Sequence, residues 1–282
     1  DYRALIEHAA ELIEQADALI VAAGAGMGVD SGLPDFRGAA GFWKAYPALQ
    51  RAQVDFYSIA SPSAFRSEPV LAWGFYGHRL ALYRETRPHP GFAMLKRWGE
   101  RMALGYSVFT SNVDGQFQAA GFDPGHIHEC HGSIHHLQCL EPCGAGTWDA
   151  DKFTPDVDES SCRLLNAAPT CPACGGVARP NVLMFGDWEW VEHQVAAQRV
   201  RQDAWLSAVT RPVVIELGAG TAIPSVRHFS QRVIHEHGGR LIRINPGEYQ
   251  VPTPLDVGLP MGALAGVTEI ARELGPTWDA FE

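Results

Sequence analysis

LIVAAGAGMGVDSGLPDFRG, residues 19–38, is the stretch that decides the fold. An apolar run of strand length gives way to alternating glycines, the order expected of a strand that hands its backbone to a phosphate. Gly24 and Gly26 stand where the first two glycines of a dinucleotide fingerprint stand, one for a tight turn and one for close approach to a pyrophosphate. The third belongs at 29, which is Val29, while Gly28 comes one residue early. The ribose-binding acid expected about 20 residues on is also missing, since 44–50 reads KAYPALQ. The stretch therefore predicts a phosphate-contacting turn, with a purely structural glycine turn as the alternative, and disfavours a hydride-transferring dehydrogenase. Beyond the glycines, Pro34 and Gly38 bound a loop in which Asp35 and Arg37 carry opposite charges; as a solvated ion pair alone this would be worth little.

Outward from this stretch, the apolar runs 18–23, 105–112, 212–218 and 241–245 are short, as buried parallel strands are. Helical periodicity separates them. Leu5, Ile6, Ala9, Leu12, Ile13 and Ala16 share one face over 3–16, and 91–101, 188–208 and 225–237 carry helical patterns. The alternation predicts an α/β chain with a Rossmann-like, doubly wound parallel sheet that binds ligands beyond its strand C-termini. Two segments break it. Residues 40–100 are rich in aromatics and read as helices joined at Pro47, Pro62, Pro69 and RPHPG, whereas 136–179 hold cysteines, glycines and prolines with little periodicity. The expected organisation is a Rossmann-like nucleotide-binding domain from 1–39, 104–135 and 180–282, a helical module over 40–103, and a metal-stapled insert over 136–179.

With 282 residues, 46% apolar and 19% charged, the chain can bury a large core and has globular composition. Its net charge of -10 argues against direct nucleic-acid binding and favours a basic peptide partner. No apolar run approaches the ~20 residues of a membrane span, and no basic segment precedes an apolar core near residue 1. A cytoplasmic location without membrane association is expected.

The six cysteines all lie between Cys130 and Cys174. Such a cluster points to metal rather than to disulfides. Cys139-x3-Cys143 and Cys171-x2-Cys174 form two local pairs 27 residues apart, the pattern of a closed, structural tetrahedral zinc site. Cys162 is an alternative ligand, and Cys130 reads as a small buried hydrophobe.

Taken with Gly24 to Ser31, PDFRG resembles the cofactor loop of the sirtuins, NAD-dependent protein-lysine deacylases whose motif reads Gly-Ala-Gly-x-Ser-x-x-Ser-Gly-Ile-Pro-Asp-Phe-Arg. Gly28 stands at the first serine and Leu33 at the isoleucine; the other fixed positions match. The resemblance implies that Gly24, Ala25, Gly26, Asp35, Phe36 and Arg37 contact NAD. TSNVDGQFQAAG (110–121) is similar to the family's Thr-Gln-Asn-Ile-Asp segment, which places Ser111, Asn112 and Asp114 at the nicotinamide and its ribose. HECHGSIHHLQC (128–139) resembles the His-Gly-Ser segment, making His131 the catalytic histidine among the decoys His128, His135 and His136. GAGTAIPS (218–225) and LIRINPGE (241–248) imply adenosine contacts from Gly218, Ala219, Gly220 and Asn245, although Ala219 and Gly220 replace the family's hydroxyls. ARPNVLMFGD (178–187) resembles the segment that pairs with a substrate peptide by strand addition, implicating Val182, Phe185 and Gly186. Tyr76 and Arg79, i and i+3 on a helix, resemble the pair with which some sirtuins hold acidic acyl groups; packing aromatics and a solvated arginine are the bland alternative.

The resemblance implies an acyl-lysine protein or peptide as substrate, with NAD and one structural zinc ion. On that resemblance the acyl oxygen attacks the nicotinamide ribose carbon and expels nicotinamide, His131 accepts the proton of a ribose hydroxyl that attacks the imidate carbon, and water completes the release of lysine and O-acyl-ADP-ribose. Acyl groups from acetyl to succinyl stay open. An NAD glycohydrolase, a mono-ADP-ribosyltransferase and a non-catalytic NAD-sensing protein are the rival readings.

Overall fold

The structure is a computed structural model and describes residues 2–36 and 38–279. Eleven strands are described: β1 (Ala18–Ala23), β2 (Tyr106–Thr110), β3 (Ile127–Glu129), β4 (Gly132–Cys139), β5 (Thr147–Asp149), β6 (Val157–Asp158), β7 (Arg163–Leu164), β8 (Ala178–Val182), β9 (Pro212–Leu217), β10 (Arg240–Ile244) and β11 (Val257–Leu259). The helices are α1 (Arg3–Gln15), α2 (Gly38–Ala45), α3 (Pro47–Arg51), α4 (Phe56–Ile59), α5 (Pro62–Ser67), α6 (Pro69–Glu85), α7 (Pro90–Arg101), α8 (Gln116–Ala119), α9 (His193–Leu206), α10 (Ser225–His237), α11 (Ala263–Leu274) and α12 (Pro276–Asp279).

Six strands form one parallel sheet in the order β11-β10-β9-β1-β2-β3. From β1 the chain moves outward through β2 to β3, then returns to the other flank of β1 for β9, β10 and β11. The strand order therefore reverses between β1 and β9, where open α/β sheets leave a crevice at the strand C-termini. The sheet is covered on both faces, which is why β1 is apolar without alternation. Leu19, Val21 and Ala23 join a core with α1, α7 and α11, through Ile13, Trp98 and Ile270 among others. Ile20 and Ala22 face the opposite core, with Leu206 of α9 and Val226, Phe229 and Val233 of α10.

A second body packs beside the sheet. β5, β4 and β8 make a three-stranded antiparallel sheet, and β6 pairs with β7. Their apolar faces share one core with α2 to α6, built on Phe42, Tyr46, Phe65, Trp73, Phe75, Tyr76, Ile134 and Leu137. Helices α3, α5, α6 and α7 each open on a proline, whose missing N–H costs nothing in the first turn. Where α6 crosses β7, a Cβ on Gly74 would lie 2.0 Å from the Cys162 carbonyl oxygen, so only glycine permits that crossing.

The helical pattern expected over 188–208 is realised only from His193. Side chains of the second body hold the preceding residues in an irregular path. Gln138 Nε2 donates to the Glu189 carbonyl at 2.9 Å, Val191 N donates to Gln138 Oε1 at 2.9 Å, and Asn181 Nδ2 donates to the Val191 carbonyl at 2.8 Å. Strands β3 and β11 are only three residues long, too short to show a period in sequence.

Candidate active site

The site is assembled from strand ends. Beyond β1, Thr110 Oγ1 and Ser111 N both donate to the Ala23 carbonyl, at 2.9 and 3.2 Å. Asn112 N donates to Thr110 Oγ1 at 3.0 Å, and Asn112 Nδ2 donates to the Gly24 carbonyl at 2.8 Å. Asn112 thus braces the β1 loop against the β2 loop. On the other flank Gly24 N donates to the Leu217 carbonyl at 2.9 Å and Gly26 N to the Gly218 carbonyl at 3.0 Å. A Cβ on Gly24 would sit 2.6 Å from Gly218 O, and one on Gly26 2.7 Å from Gly218 Cα. Backbone packing of the two loops is by itself a sufficient reason for both glycines. The loop continues as a 3₁₀ turn, Ala25–Ser31, in which Val29 is exposed and Gly28 is buried against Leu33. The glycine turn runs into this 3₁₀ turn and not directly into a long α-helix, so the third fingerprint glycine is not needed at 29. Ala25 is exposed and Asp35 half-buried at this mouth. Arg37 lies outside the described residues. Phe36 turns its ring into the second core, 5.7 Å from Phe42 and 6.2 Å from Phe75.

On the β9–β10 side, buried Asn245 donates through Nδ2 to the Ala219 carbonyl at 3.1 Å and accepts from Gly247 N and Glu248 N at 3.1 and 2.9 Å. Gly218 has φ +63°, the left-handed region that favours glycine. Gly220 is exposed and has no atom within 4 Å of where a Cβ would stand. One residue that sequence reasoning missed lies here. Glu248 accepts from Thr221 Oγ1 at 2.8 Å, which places a carboxylate on the loop after β10, at the carboxyl edge of the sheet where ligands of open α/β sheets bind. An acid four residues past the end of a strand was its only signal.

His131 occupies the turn between β3 and β4, half-buried, and its carbonyl accepts from Leu183 N at 2.9 Å. Burial lowers its pKa against the opposing effect of a hydrogen bond to the Ser111 backbone. The imidazole is therefore neutral at pH 7 and able to take a proton. The neighbouring histidines are tied down elsewhere. His128 Nδ1 pairs with Gln202 at 2.8 Å, His135 Nε2 donates to the Asp114 carbonyl at 2.8 Å, and His136 pairs with Asp149 at 3.2 Å. Asp114 Oδ1 accepts from Gln116 N at 2.9 Å. Burial pushes its carboxyl up to about 6, opposed by that amide and by the charge of Arg79. Beside Asp114 opens a hollow of about 420 Å³ that Tyr83, Thr86, Ser133, His135 and His136 help to line.

On α6, Tyr76 and Arg79 are both buried. Arg79 Nε donates to Tyr83 Oη at 3.0 Å, and the guanidinium lies 5.3 Å from the ring centres of Phe36, Phe75 and Tyr76. Among the described residues no carboxylate forms an ion pair with it. The 182–186 segment leaves β8, an edge strand of the small sheet. Val182 O accepts from Arg179 Nη2 at 2.7 Å, Phe185 N donates to the Ala60 carbonyl at 2.9 Å, and Gly186, with φ +63°, is exposed. Phe185 N–H is thus engaged within the chain, which leaves fewer groups for strand addition than the sequence suggested. A fully buried Arg179–Asp187 pair folds this segment back on β8.

The Sγ atoms of Cys139, Cys143, Cys171 and Cys174 all lie within 4.8 Å of one another. Three of their separations are 3.5, 3.4 and 3.7 Å. Tetrahedral bonds of about 2.3 Å set sulfur–sulfur edges near about 3.8 Å, so the four thiols fit zinc without rearrangement. Cys162 is buried in the second core, apart from this group, and is not one of its ligands. Cys130 packs against the α9–α10 core.

The model of the Sir2 family matches residues 24–210. A Thermococcus kodakarensis protein named NAD-dependent protein deacylase is 30% identical over 247 residues, covering 86% of this chain and 84% of that protein. NAD-dependent protein deacylase 1 of Pseudomonas aeruginosa is 30% identical over 269 residues, covering 94% and 98% respectively. The crystal structure of a Sir2 homolog–NAD complex superposes with a TM-score of 0.70 at 24% identity, over 99% of this chain and 95% of that one, a likeness of fold.

Proposed function

The chain belongs to the Sir2 family, and from that premise we infer that it removes acyl groups from protein lysines in an NAD-dependent reaction. One observation carries the reading. The ends of β1, β2, β9 and β10 deliver Gly24–Gly26, Asn112, Ala219 and Asn245 to one edge of the sheet, and the β3–β4 turn brings a neutral His131 against Ser111 on the same edge. In this reading Gly24, Ala25, Gly26, Asp35, Phe36, Arg37, Ser111, Asn112, Gly218, Ala219, Gly220 and Asn245 hold the cofactor. NAD, when bound, supplies an electrophilic ribose carbon and a nicotinamide leaving group. Asn112 fixes the β1 loop relative to the β2 loop. Asp114 offers a carboxylate to hydroxyl groups at the floor of the cleft. His131 accepts a proton at its ring. The zinc site is closed by four thiolates and holds the insert together without taking part in chemistry.

A finer reading concerns the acyl group. A buried guanidinium ringed by aromatics, ion-paired with no carboxylate among the described residues, suits an acyl chain that ends in a carboxylate, since such a cation is costly until paired. Tyr76, Arg79, Val182, Phe185 and Gly186 form the acyl and peptide side of this assignment. It also makes 40–103 a helical module over the acyl pocket, 136–179 a zinc insert, and the remainder the NAD-binding domain.

The test is incubation of the chain with NAD and acetyl- and succinyl-lysine peptides, followed by mass spectrometry. Acyl loss matched by nicotinamide release is expected, and His131→Ala should reduce it by about 10²–10⁴-fold. Nicotinamide release that is equal with and without peptide would instead assign NAD hydrolysis.

A further inference from the structure

Resting on the deacylase reading above, we propose that Glu129 is a positioning residue: a carboxylic acid wedged between Gln118 and Gln198 that fixes the Asp114 segment relative to the His131 turn. Glu129 is the last residue of β3 and only 3% exposed, two residues before His131. Its N–H donates to Gln198 Oε1 at 2.9 Å, and Gln198 Nε2 donates back to Glu129 Oε1 at 3.2 Å. Its carboxyl is also hydrogen-bonded by the side chain of Gln118. Gln118 lies on α8, which starts two residues after Asp114, and Gln198 lies on α9. One side chain therefore joins the strand that delivers His131, the helix that follows Asp114, and α9, which packs on that strand.

Among the described residues no cation forms an ion pair with it. From β2 it meets Thr110 in register, from α8 Gln118, from α9 Gln198, and the charge that acts on it is Asp114, of the same sign. Its strand neighbour His128 is paired with Gln202, and burial lowers its pKa. A buried carboxylate without a counter-ion takes up a proton rather than stay charged. Burial pushes Glu129 up to about 7 accordingly. As pH rises past that point, ionisation forces charge into the joint beside Asp114 and loosens it. His131 and Asp114 titrate at lower pH and govern the acid limb.

The experiment follows NAD-dependent deacylation from about pH 5.5 to 9 for wild type, Glu129→Gln and Glu129→Ala, together with the NMR resonances of the His131 ring. Glu129→Gln should keep kcat within about threefold near pH 6.5 and lose the alkaline decline. Glu129→Ala should lower kcat by about 10–10²-fold with little change in KM for NAD, and should shift the His131 resonances, which Glu129→Gln restores. Glu129→Gln with the wild-type alkaline limb, or Glu129→Ala with unmoved His131 resonances, overturns the proposal. If Glu129→Ala does not fold, the alkaline limb of Glu129→Gln decides. A wild type without deacylase activity defeats the deacylase reading alone, and the His131 resonances then decide Glu129 by themselves.

Discussion

Arg79 shows what one residue can carry. A guanidinium cannot shed its charge, so burial beneath Phe36, Phe75 and Tyr76 leaves a cation held by ring faces and a tyrosine hydroxyl, with no ion pair among the described residues. Methionine would fill the same space without the charge. Arg79→Met should therefore lower kcat/KM on succinyl-lysine peptide by about 10²-fold, the worth of a buried charge pair, while changing deacetylation by no more than about threefold. Equal losses on both peptides would make Arg79 a packing residue. The i, i+3 spacing of Tyr76 and Arg79 was legible in the sequence. Their burial was not, because the rings over Arg79 come partly from Phe36, more than forty residues away.

At the scale of elements, β4 and β8 form a lever. They pair antiparallel from Cys139 with Ala178 at one end to Gly132 with Val182 at the other. The thiol cluster closes the first end, and His131 and the 183–186 segment leave the second. Losing the metal frees the far end and lets the near end drift. Chelation, or Cys171→Ala, should remove more than about 4 kcal/mol of stability and lower Tm by about 10 °C. Activity should fall in step, with full recovery on returning zinc to the chelated chain. A chelated chain with wild-type melting and turnover would leave the cysteines without a structural role. The two cysteine pairs were plain from spacing alone. The path of 187–191 was not, since its fate depends on Gln138 and Asn181 side chains from other strands.

For the whole molecule the buried titratable groups set an acid response. His89, His128, His131, His135 and His136 all have lowered pKa values, chiefly through burial. Asp114 and Glu129 are raised by burial, to about 6 and about 7. Below pH 6.5 the unfolded chain binds protons at histidines that the folded chain keeps neutral, so their contribution to stability is lost as pH falls. The raised acids act oppositely: the folded chain holds their protons, and their contribution is lost as pH rises from the ordinary carboxylate range to about 7. Five histidines against two acids fix the sign. Tm should rise from pH 5 to about 6.5 and level off above about 7, and Glu129→Gln should steepen the rise. A Tm that falls over that interval would show that the acids dominate.

The sequence by itself determined the parallel sheet, the glycine turn after its first strand, the four thiols, and the order of motifs that bear the family resemblance. These are local: each is fixed by residues within about one strand, turn or ligand pair, where period, glycine conformation and ligand spacing act directly. Tertiary structure decided the rest. It showed that Gly24 and Gly26 answer to the backbone of Gly218, paired three similar histidines with Gln202, the Asp114 carbonyl and Asp149 while turning His131 against the Ser111 backbone, and enclosed Glu129 and Arg79 with no ion pair among the described residues. Those outcomes depend on desolvation and on contacts between distant segments, which exist only once the strand ends have converged.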